Sequence, residues 1–315
     1  MRITELDICP FGSGSFGLGI VLPQIMKKCT ASMMLAHFRS LARTQKQLGA
    51  PTVRGFMKFE EIYSMVGRTP FISRDNGRFL YDLILKERIV NILELGIAHG
   101  TATCYMAAAL HEIGGGSITS VDLIEAKDTF KPSAEEQLEK TGLSKFANVV
   151  RMQTGYTWFL HNEIANNTKN NACNEVYDLC IIDGPKNWTI DGAAFFFVDK
   201  LLKKDGWIIF DDYRWTYATA NRRRDSTDGI THRSLSKDEQ EIPHIREVFE
   251  LLVKQHPHYG NLMVLDKTNW ALAQKSMTQN KDYAIVHRDV MSGVVNKVIC
   301  KIYRILHALR KNNMS

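Results

Sequence analysis

The sequence predicts an α/β protein built on a doubly wound, mostly parallel sheet, and three observations support this. Short apolar runs alternate along the chain with stretches of helical periodicity. The runs are almost free of charge, which is typical of parallel strands covered by helices on both faces. Late in the chain, two apolar runs are joined by a tight polar connection, which predicts an antiparallel hairpin at the end of the sheet.

The bulk composition is typical of a soluble globular protein, with 44% hydrophobic and 23% charged residues among 315. A net charge of +6 is too mild to indicate nucleic-acid binding by itself. The six cysteines are scattered without a CxxC pair, and the N-terminal segment lacks the layout of a secretory signal. No apolar stretch has the length of a membrane-spanning helix. We therefore expect a cytoplasmic protein.

The first 55 residues are predicted to be an N-terminal extension that is partly helical, because loop-forming glycines precede one amphipathic stretch at Gln24–Gln47. A single domain is predicted over residues 56–276. Its first strongly patterned helix spans Arg74–Lys86, where apolar side chains recur on one face. Residues 277–315 are predicted to form a C-terminal amphipathic helix.

Seven strands are predicted within the domain. The five parallel strands are Ile89–Leu95, Ser117–Leu123, Asn148–Gln153, Tyr177–Asp183 and Gly206–Asp211. The helices between them are Thr101–Ile113, Ser133–Thr141, Tyr156–Asn166 and Asp191–Lys203. Right-handed crossovers then give a doubly wound sheet. After a helix at about Pro243–Gln255, two antiparallel strands joined around Asp266–Asn269 complete the sheet.

Acidic residues close four of the five predicted parallel strands: Glu94, Asp122, Asp183 and the pair Asp211–Asp212. Each one alone could be a solvated carboxylate or a helix cap. Four in one row favour a binding site, because ligands of open α/β sheets bind beyond the carboxyl ends of the strands. Gly96 and Gly100 permit a sharp turn and close approach of a ligand, although their spacing is not the dinucleotide fingerprint. A carboxylate beside such a turn suits a cationic ligand.

Four segments in order, "ILELGIAHGTAT", "ITSVDL", "DLCIIDGPK" and "GWIIFDDY", resemble the motifs of class I S-adenosylmethionine-dependent methyltransferases. The resemblance covers about Phe56 to Lys275 and implies a Rossmann-like sheet that ends in the hairpin. It also implies a set of residues that bind S-adenosylmethionine. These are Glu94, Gly96 and Gly100 at the methionine end, Asp122 at the ribose and Tyr156 near the adenine, together with Thr101, Leu123 and Asp183.

The segments "IDGPK" and "FDDY" further resemble the cation-dependent small-molecule O-methyltransferases of catechol and caffeoyl-coenzyme A type. This resemblance implies that Asp183, Asp211 and Asp212 bind a divalent metal, and Mg²⁺ is the ion that carboxylates favour. It also implies catalytic roles for Asp183 and for Lys186, the latter as a base on the acceptor hydroxyl. Asp212 stands where that family has asparagine. An Asp–Asp pair resembles the enzymes that methylate natural-product sugars, which favours a sugar or polyketide hydroxyl as acceptor.

Two other functions stay open from the sequence. One is a metal-free methyltransferase of the same fold that acts on another nucleophile, and the other is a non-catalytic protein that binds the cofactor. No [DNS]-P-P-[YFW] motif follows the fourth strand, which disfavours the amino-methylating enzymes of nucleic acids. The resemblance implies a hydroxylated small molecule as partner, and we expect no nucleic acid. The apolar stripe of Val290–Leu309 predicts packing on the core or a homodimer, with peripheral membrane contact as the alternative.

Overall fold

The computed structural model describes residues 57–170, 172–220, 226–277, 298–299 and 301–303. The chain divides into two compact units, Met1–Gly55 and Phe56–Ser315. The predicted N-terminal extension and nearly all of the predicted C-terminal helix lie outside the described residues. Within the described ranges, no helix is both long and apolar enough to cross a membrane.

Two helices precede the sheet, α1 (Phe59–Val66) and α2 (Arg74–Glu87). The side chain of Ser73 caps α2 by accepting a hydrogen bond from the backbone N–H of Asn76, at 3.1 Å. Helix α2 ends at Arg88, which adopts the left-handed conformation. The predicted helix in this region is therefore confirmed, one residue longer at its end than the sequence indicated.

The central sheet has seven strands, as predicted. In chain order the strands of the structure are β1 (Asn91–Leu95), β2 (Ser117–Leu123), β3 (Ala147–Met152), β4 (Thr168–Lys169), β5 (Ala172–Cys173), β6 (Tyr177–Ile182), β7 (Leu202–Phe210), β8 (Tyr259–Leu265) and β9 (Trp270–Lys275). The order across the large sheet is β3-β2-β1-β6-β7-β9-β8, and β4 and β5 form a separate two-stranded sheet. In the large sheet, β3, β2, β1, β6 and β7 run parallel to one another, whereas β9 is antiparallel to both of its neighbours. The doubly wound fold with an antiparallel hairpin is confirmed.

Helices connect the strands on both faces of the sheet. They are α3 (Thr101–Ile113), α4 (Ala126–Thr129), α5 (Ala134–Thr141), α6 (Tyr156–Asn167), α7 (Trp188–Asp199), α8 (Lys237–Glu241) and α9 (His244–Glu247), and α9 continues as a π-helical segment (Val248–Val253). Short 3₁₀ turns lie at Ser144–Phe146 and Tyr217–Thr219. The predicted crossover helices are thus present, with ends that differ by a few residues.

Successive residues of each central strand enter two different hydrophobic cores. On β1, Ile92 packs with α1, α2, α3 and α5 on one face, whereas Leu93 packs with α6, α7 and the π-helical segment on the other. Both side chains are fully buried. This double coverage is the physical reason for the nearly continuous apolar runs in the sequence, because a residue on either face must be apolar.

Two element boundaries differ from the prediction for identifiable reasons. Helix α7 begins three residues earlier, since the side chain of Asn187 accepts hydrogen bonds from the backbone N–H groups of Thr189 and Ile190. Strand β7 begins at Leu202 and not at Gly206, because Leu202 pairs with Tyr177 ahead of an irregularity in the register. Neither difference moves the carboxyl ends of the strands, which position the site.

Candidate functional site

One pocket at the carboxyl edge of the sheet brings several predicted residues together. Its lining includes Glu94, Gly96 and Thr101 from β1 and the start of α3, together with Asp183 and Asp211 that follow β6 and β7. These positions meet because β1, β6 and β7 are adjacent and parallel. The sequence expectation that strand-end carboxylates share one edge is therefore confirmed for this set.

The turn after β1 depends on two glycines. Gly96 has φ +93° and Gly100 has φ +73°, conformations that side chains disfavour. A Cβ on Gly96 would collide with the backbone carbonyl of Asp183, and a Cβ on Gly100 would collide with Ala134. Both glycines are therefore required by the packing of the turn, in addition to any close approach of a ligand.

Glu94 is the most buried carboxylate of the pocket, at 2% exposure. Its Oε2 accepts hydrogen bonds from the hydroxyls of Thr103 and Ser120, each at 2.6 Å. Burial raises the pKa of Glu94 to about 7, the two hydroxyls work in the opposite direction, and the charge of Asp122 adds a smaller upward push. The sequence analysis explained this carboxylate by a ligand alone, whereas the structure shows that two internal hydroxyls already offset part of its desolvation.

Asp122 holds the glycine turn in place. Its Oδ2 accepts hydrogen bonds from the backbone N–H groups of Ile97 and Ala98, at 2.9 and 3.0 Å, and its Oδ1 accepts the N–H of Leu123 at 2.7 Å. A carboxylate offers about four lone-pair directions, so at least one stays open for a further donor. The structure gives Asp122 a shaping role that the sequence did not indicate, and its contact with a ribose stays a prediction. Leu123 is 42% exposed beside it.

Tyr156, predicted near the adenine, has its side chain directed into the protein. It is buried, its hydroxyl donates to Asp191, and it lies against Gly184, where an added Cβ would collide with the ring. Burial raises the pKa of Tyr156 well above its usual range. Asp191 also accepts the backbone N–H of Asn187 at 2.6 Å. Tyr156 and Asp191 thus support the turn after β6, a role that the sequence analysis missed.

The ammonium of Lys186 lies among the three aspartates predicted to hold a metal. Lys186 is buried at 2% exposure, and its φ of +63° turns the chain back towards the end of β6. Its Nζ forms an ion pair with Asp183 and lies 3.5 Å from Oδ2 of Asp211 and 3.6 Å from Oδ2 of Asp212. The indole N–H of Trp270 donates to Oδ1 of Asp211 at 2.6 Å. We call Asp183, Lys186, Asp211 and Asp212 the aspartate–lysine cluster.

The charges around Lys186 fix its protonation state. Burial alone would lower the pKa of this amine, but the attraction of Asp183, Asp211 and Asp212 outweighs burial and raises the pKa above its ordinary value. Lys186 is therefore held as an ammonium, which cannot accept a proton. The base role implied by the family resemblance requires that another cation first offsets these carboxylates.

The aspartate–lysine cluster fits a divalent cation by its chemistry but is arranged around the ammonium. Three carboxylates are the donors that Mg²⁺ prefers. In the part of the chain that the structure describes, however, these three aspartates do not place one oxygen each within 4.8 Å of the other two. A metal on Asp183, Asp211 and Asp212 would therefore compete with Lys186 for the same oxygens.

Residues 93–213 match the family model described as a methyltransferase domain. This match confirms the resemblance to class I methyltransferases for the segment that holds β1 to β7 and the aspartate–lysine cluster. No curated protein sequence matches the chain at a significant level.

Solved structures of O-methyltransferases are similar to this chain at low identity. The O-methyltransferase from Bacillus cereus, in complex with SAH, is 20% identical, with 75% of this chain and 97% of that chain covered and a TM-score of 0.47. A putative caffeoyl-CoA O-methyltransferase from Staphylococcus aureus is also 20% identical, with coverage of 76% and 100% and a TM-score of 0.47. TomG from Streptomyces achromogenes, involved in tomaymycin synthesis, is 16% identical, with coverage of 76% and 96% and a TM-score of 0.46.

We expect Glu94→Gln to stabilise the unliganded protein above pH 7 and to change its stability little near pH 5. The pKa of Glu94 is about 7 in the folded protein, above its ordinary value of 4.5, so the folded state holds a proton that the unfolded chain releases. The wild type therefore loses stability as the pH rises from about 4.5 to about 7, by an amount on the order of 3 kcal/mol.

Chemical denaturation at pH 5 and pH 8 measures this effect, with the exposed Glu139→Gln as the matched control. Glutamine keeps one oxygen that can accept hydrogen bonds from the two hydroxyls, so wild type and Glu94→Gln differ mainly in the charge of this side chain. A stability difference between Glu94→Gln and wild type that is equal at both pH values would contradict the proposed protonation of Glu94.

Proposed function

We propose that this protein, whose residues 93–213 match the model of a methyltransferase domain, transfers a methyl group from S-adenosylmethionine to a hydroxyl of a small molecule. One observation carries the proposal. The glycine turn after β1 and two members of the aspartate–lysine cluster, Asp183 and Asp211, line a single pocket, so a cationic methyl donor and an oxygen acceptor would lie side by side. Holding the two reactants in line is most of what such a transfer requires.

The β1 side of the pocket suits the cofactor. S-adenosylmethionine carries a sulfonium and an ammonium. Glu94 lies in the pocket wall, and these positive charges would favour its ionised form. Gly96 leaves room for close approach, and Thr101 offers a hydroxyl at the start of α3. The open lone pair of Asp122 is the proposed acceptor for a ribose hydroxyl.

The aspartate–lysine cluster suits the acceptor. As the acceptor oxygen attacks, the new O–CH₃ bond forms while the S–CH₃ bond breaks, and the hydroxyl proton must leave the oxygen. The ammonium of Lys186 would stabilise negative charge on this oxygen, and the carboxylate of Asp183 at the pocket wall would take the proton. The products are the methyl ether and neutral S-adenosylhomocysteine.

A divalent cation held by Asp183, Asp211 and Asp212 would lower the pKa of a bound hydroxyl and fix its position. Its arrival would also displace Lys186 from these carboxylates. The amine would then lose the attraction that raises its pKa, and the base role implied by the resemblance would become available to it. We propose Mg²⁺ as this cation because all three donors are carboxylates.

A metal-free version of the same reaction is the second candidate, and one observation favours it. The position between the three carboxylates already holds a buried positive charge, the ammonium of Lys186. In that case Lys186 is itself the electrostatic stabiliser of the acceptor oxygen, and the carboxylates serve to hold it charged.

A ring-shaped acceptor, such as a sugar or a polyketide, is supported by the rim of the pocket. Phe71 is 70% exposed and stacks on His99 at 5.6 Å between ring centroids, and Phe130 packs edge-on against both rings. An exposed aromatic face in the pocket that Asp183 and Asp211 also line suits the flat face of such an acceptor. Incubation with methyl-labelled cofactor and a panel of sugars, polyketides and phenols, followed by mass spectrometry, tests the class directly.

Asp122→Asn should weaken the binding of S-adenosylhomocysteine by roughly 10-fold to 100-fold, because a hydrogen bond to a charged group contributes about 1.5–3 kcal/mol. Isothermal titration calorimetry on the two proteins measures the change, with the exposed Asp128→Asn as the matched control. An unchanged affinity in a variant that unfolds like wild type would remove Asp122 from the cofactor site.

Removal of divalent cations should lower turnover by roughly 100-fold or more, the effect of losing several kcal/mol of charge stabilisation, and Mg²⁺ should restore it. Binding of S-adenosylhomocysteine should survive chelation. Asp211→Asn should reproduce the loss even with Mg²⁺ present, whereas the exposed Asp205→Asn should not. Full turnover in chelator would overturn the metal-assisted version and establish the metal-free one.

Lys186→Met should bind Mg²⁺ more tightly than wild type while losing most of its turnover. The substitution removes the ammonium that competes for Asp183, Asp211 and Asp212, and it leaves these carboxylates to repel each other until a cation binds. Thermal melting with and without Mg²⁺ measures the first effect, and formation of S-adenosylhomocysteine with the identified acceptor measures the second. The exposed Lys169→Met is the control, and a smaller Mg²⁺ response in Lys186→Met than in wild type would contradict the competition.

A further inference from the structure

A second group of metal-binding side chains lies at the opposite edge of the sheet from the pocket. Asp199 is the last residue of α7 and immediately precedes the amino end of β7. His256 and His258 lie in the loop that leads from the π-helical segment into β8. One ligand atom of each of these three residues lies within 4.8 Å of the other two. Methyl transfer, as proposed above, uses none of them.

The three side chains are enclosed on one side by aromatic rings. The ring of His256 packs against Phe195 at 5.6 Å and Tyr259 at 5.3 Å, and it meets His258 at 5.0 Å between centroids. Asp199 is buried, at 3% exposure. An apolar shell of this kind lowers the dielectric constant on that side of a metal site and strengthens the bonds to charged ligands.

The ring of His258 has a buried nitrogen that the protein does not satisfy. Its Nδ1 is inaccessible to solvent and has no hydrogen-bond partner among the residues that the structure describes. A buried polar atom without a partner costs free energy. The ring of His256 makes a long hydrogen bond, in which its Nδ1 accepts the backbone N–H of His258 at 3.3 Å. Both rings thus have bonding capacity that the fold leaves largely unused.

The charges nearby are compatible with a divalent cation. The ammonium of Lys275 lies 3.7 Å from Oδ1 of Asp199, but it is paired with Glu175 at 2.9 Å and also donates to the backbone carbonyls of Asp199 and Leu202. Glu175 therefore offsets much of the charge of Lys275.

We propose that Asp199, His256 and His258 bind one transition-metal ion of the Zn²⁺ type. Two imidazoles and one carboxylate are donors that suit Zn²⁺ and its neighbours, and they do not suit Mg²⁺. Ligand atoms about 2.0 Å from a tetrahedral ion lie roughly 3.3 Å apart, so the three side chains need to draw together by no more than about 1.5 Å. Water would complete the coordination.

The site would act on the structure and not on the reaction. Asp199 ends α7, and the two histidines precede β8, which forms one edge of the sheet and has an irregular register with β9 between Gly260 and Met263. A metal would tie this edge strand to the body of the domain. Zinc sites that join separate chain segments contribute directly to the free energy of unfolding.

Titration of the chelator-treated, full-length protein with Co²⁺ tests the proposal, because its visible absorption reports four- or five-coordination and Zn²⁺ then displaces it. With Mg²⁺ in excess to fill the aspartate–lysine cluster, we expect one tight equivalent to bind to wild type, and binding at least roughly tenfold weaker in His256→Ala and in His258→Ala. Zn²⁺ should raise the melting temperature of wild type and should not raise that of these variants. The exposed His161→Ala, a matched control, and Asp211→Asn, which alters the other carboxylate site, should both bind like wild type.

His258→Gln, which is similar in volume and a poor ligand, replaces His258→Ala if the latter does not fold, and far-UV circular dichroism in chelator checks each variant. Absence of saturable Co²⁺ binding to wild type would overturn the proposal. Binding that is undiminished in both histidine variants would also overturn it, because the metal would then lie on the cysteine thiolates or on the aspartate–lysine cluster.

Discussion

The contact of the β1 turn with the end of β6 is the constraint on which the pocket depends. Gly96 packs so closely against the carbonyl of Asp183 that no side chain fits between them. The backbone N–H of Asp183 donates to the carbonyl of Leu95 across this junction at 2.8 Å, and the N–H of Gly96 donates at 2.9 Å to the carbonyl of Val121 in β2, on the other side of β1. A turn fixed in this way places the proposed cofactor side of the pocket directly beside the aspartate–lysine cluster. Preorganisation of the two reactants, rather than any single side chain, is what this geometry supplies.

Burial of charge at this edge has a cost, and the structure offsets it in two different ways. Glu94 is stabilised by the hydroxyls of Thr103 and Ser120 and can also lose its charge by taking up a proton. In the aspartate–lysine cluster the ammonium of Lys186 offsets part of the negative charge, and burial raises the pKa of Asp183 well above its usual range. Replacing a buried ion cluster by apolar side chains often costs no stability, so such a cluster is weak evidence for a role in folding. Its place in the pocket favours a role in the reaction.

The sheet and the position of the strand-end carboxylates could be predicted from the sequence. A strand buried on both faces is a continuous apolar run, and the first charged residue marks its end. The sequence was insufficient for the contacts that these carboxylates make. The bond from Ser120 to Glu94 joins residues 26 apart, and the contact of Lys186 with Asp211 joins residues 25 apart. Only the strand order and the side-chain torsions decide such pairs. The inward direction of Tyr156 is a similar case, since Asp191, its partner, is one turn inside a different helix.

The two edges of the sheet differ in the cations that they can hold, and this follows from their donors. The carboxyl edge offers only carboxylates, which select a hard cation or an ammonium, and it is open to a pocket. The amino edge offers two imidazoles and one carboxylate under aromatic rings, which select a borderline transition metal. Asp199 ends α7 before the nine residues of β7, and Asp211 follows them, so the two aspartates lie at opposite ends of this strand. A protein with both sites would therefore hold an exchangeable cation for chemistry and a fixed one for stability, because the two imidazoles of the amino edge disfavour Mg²⁺.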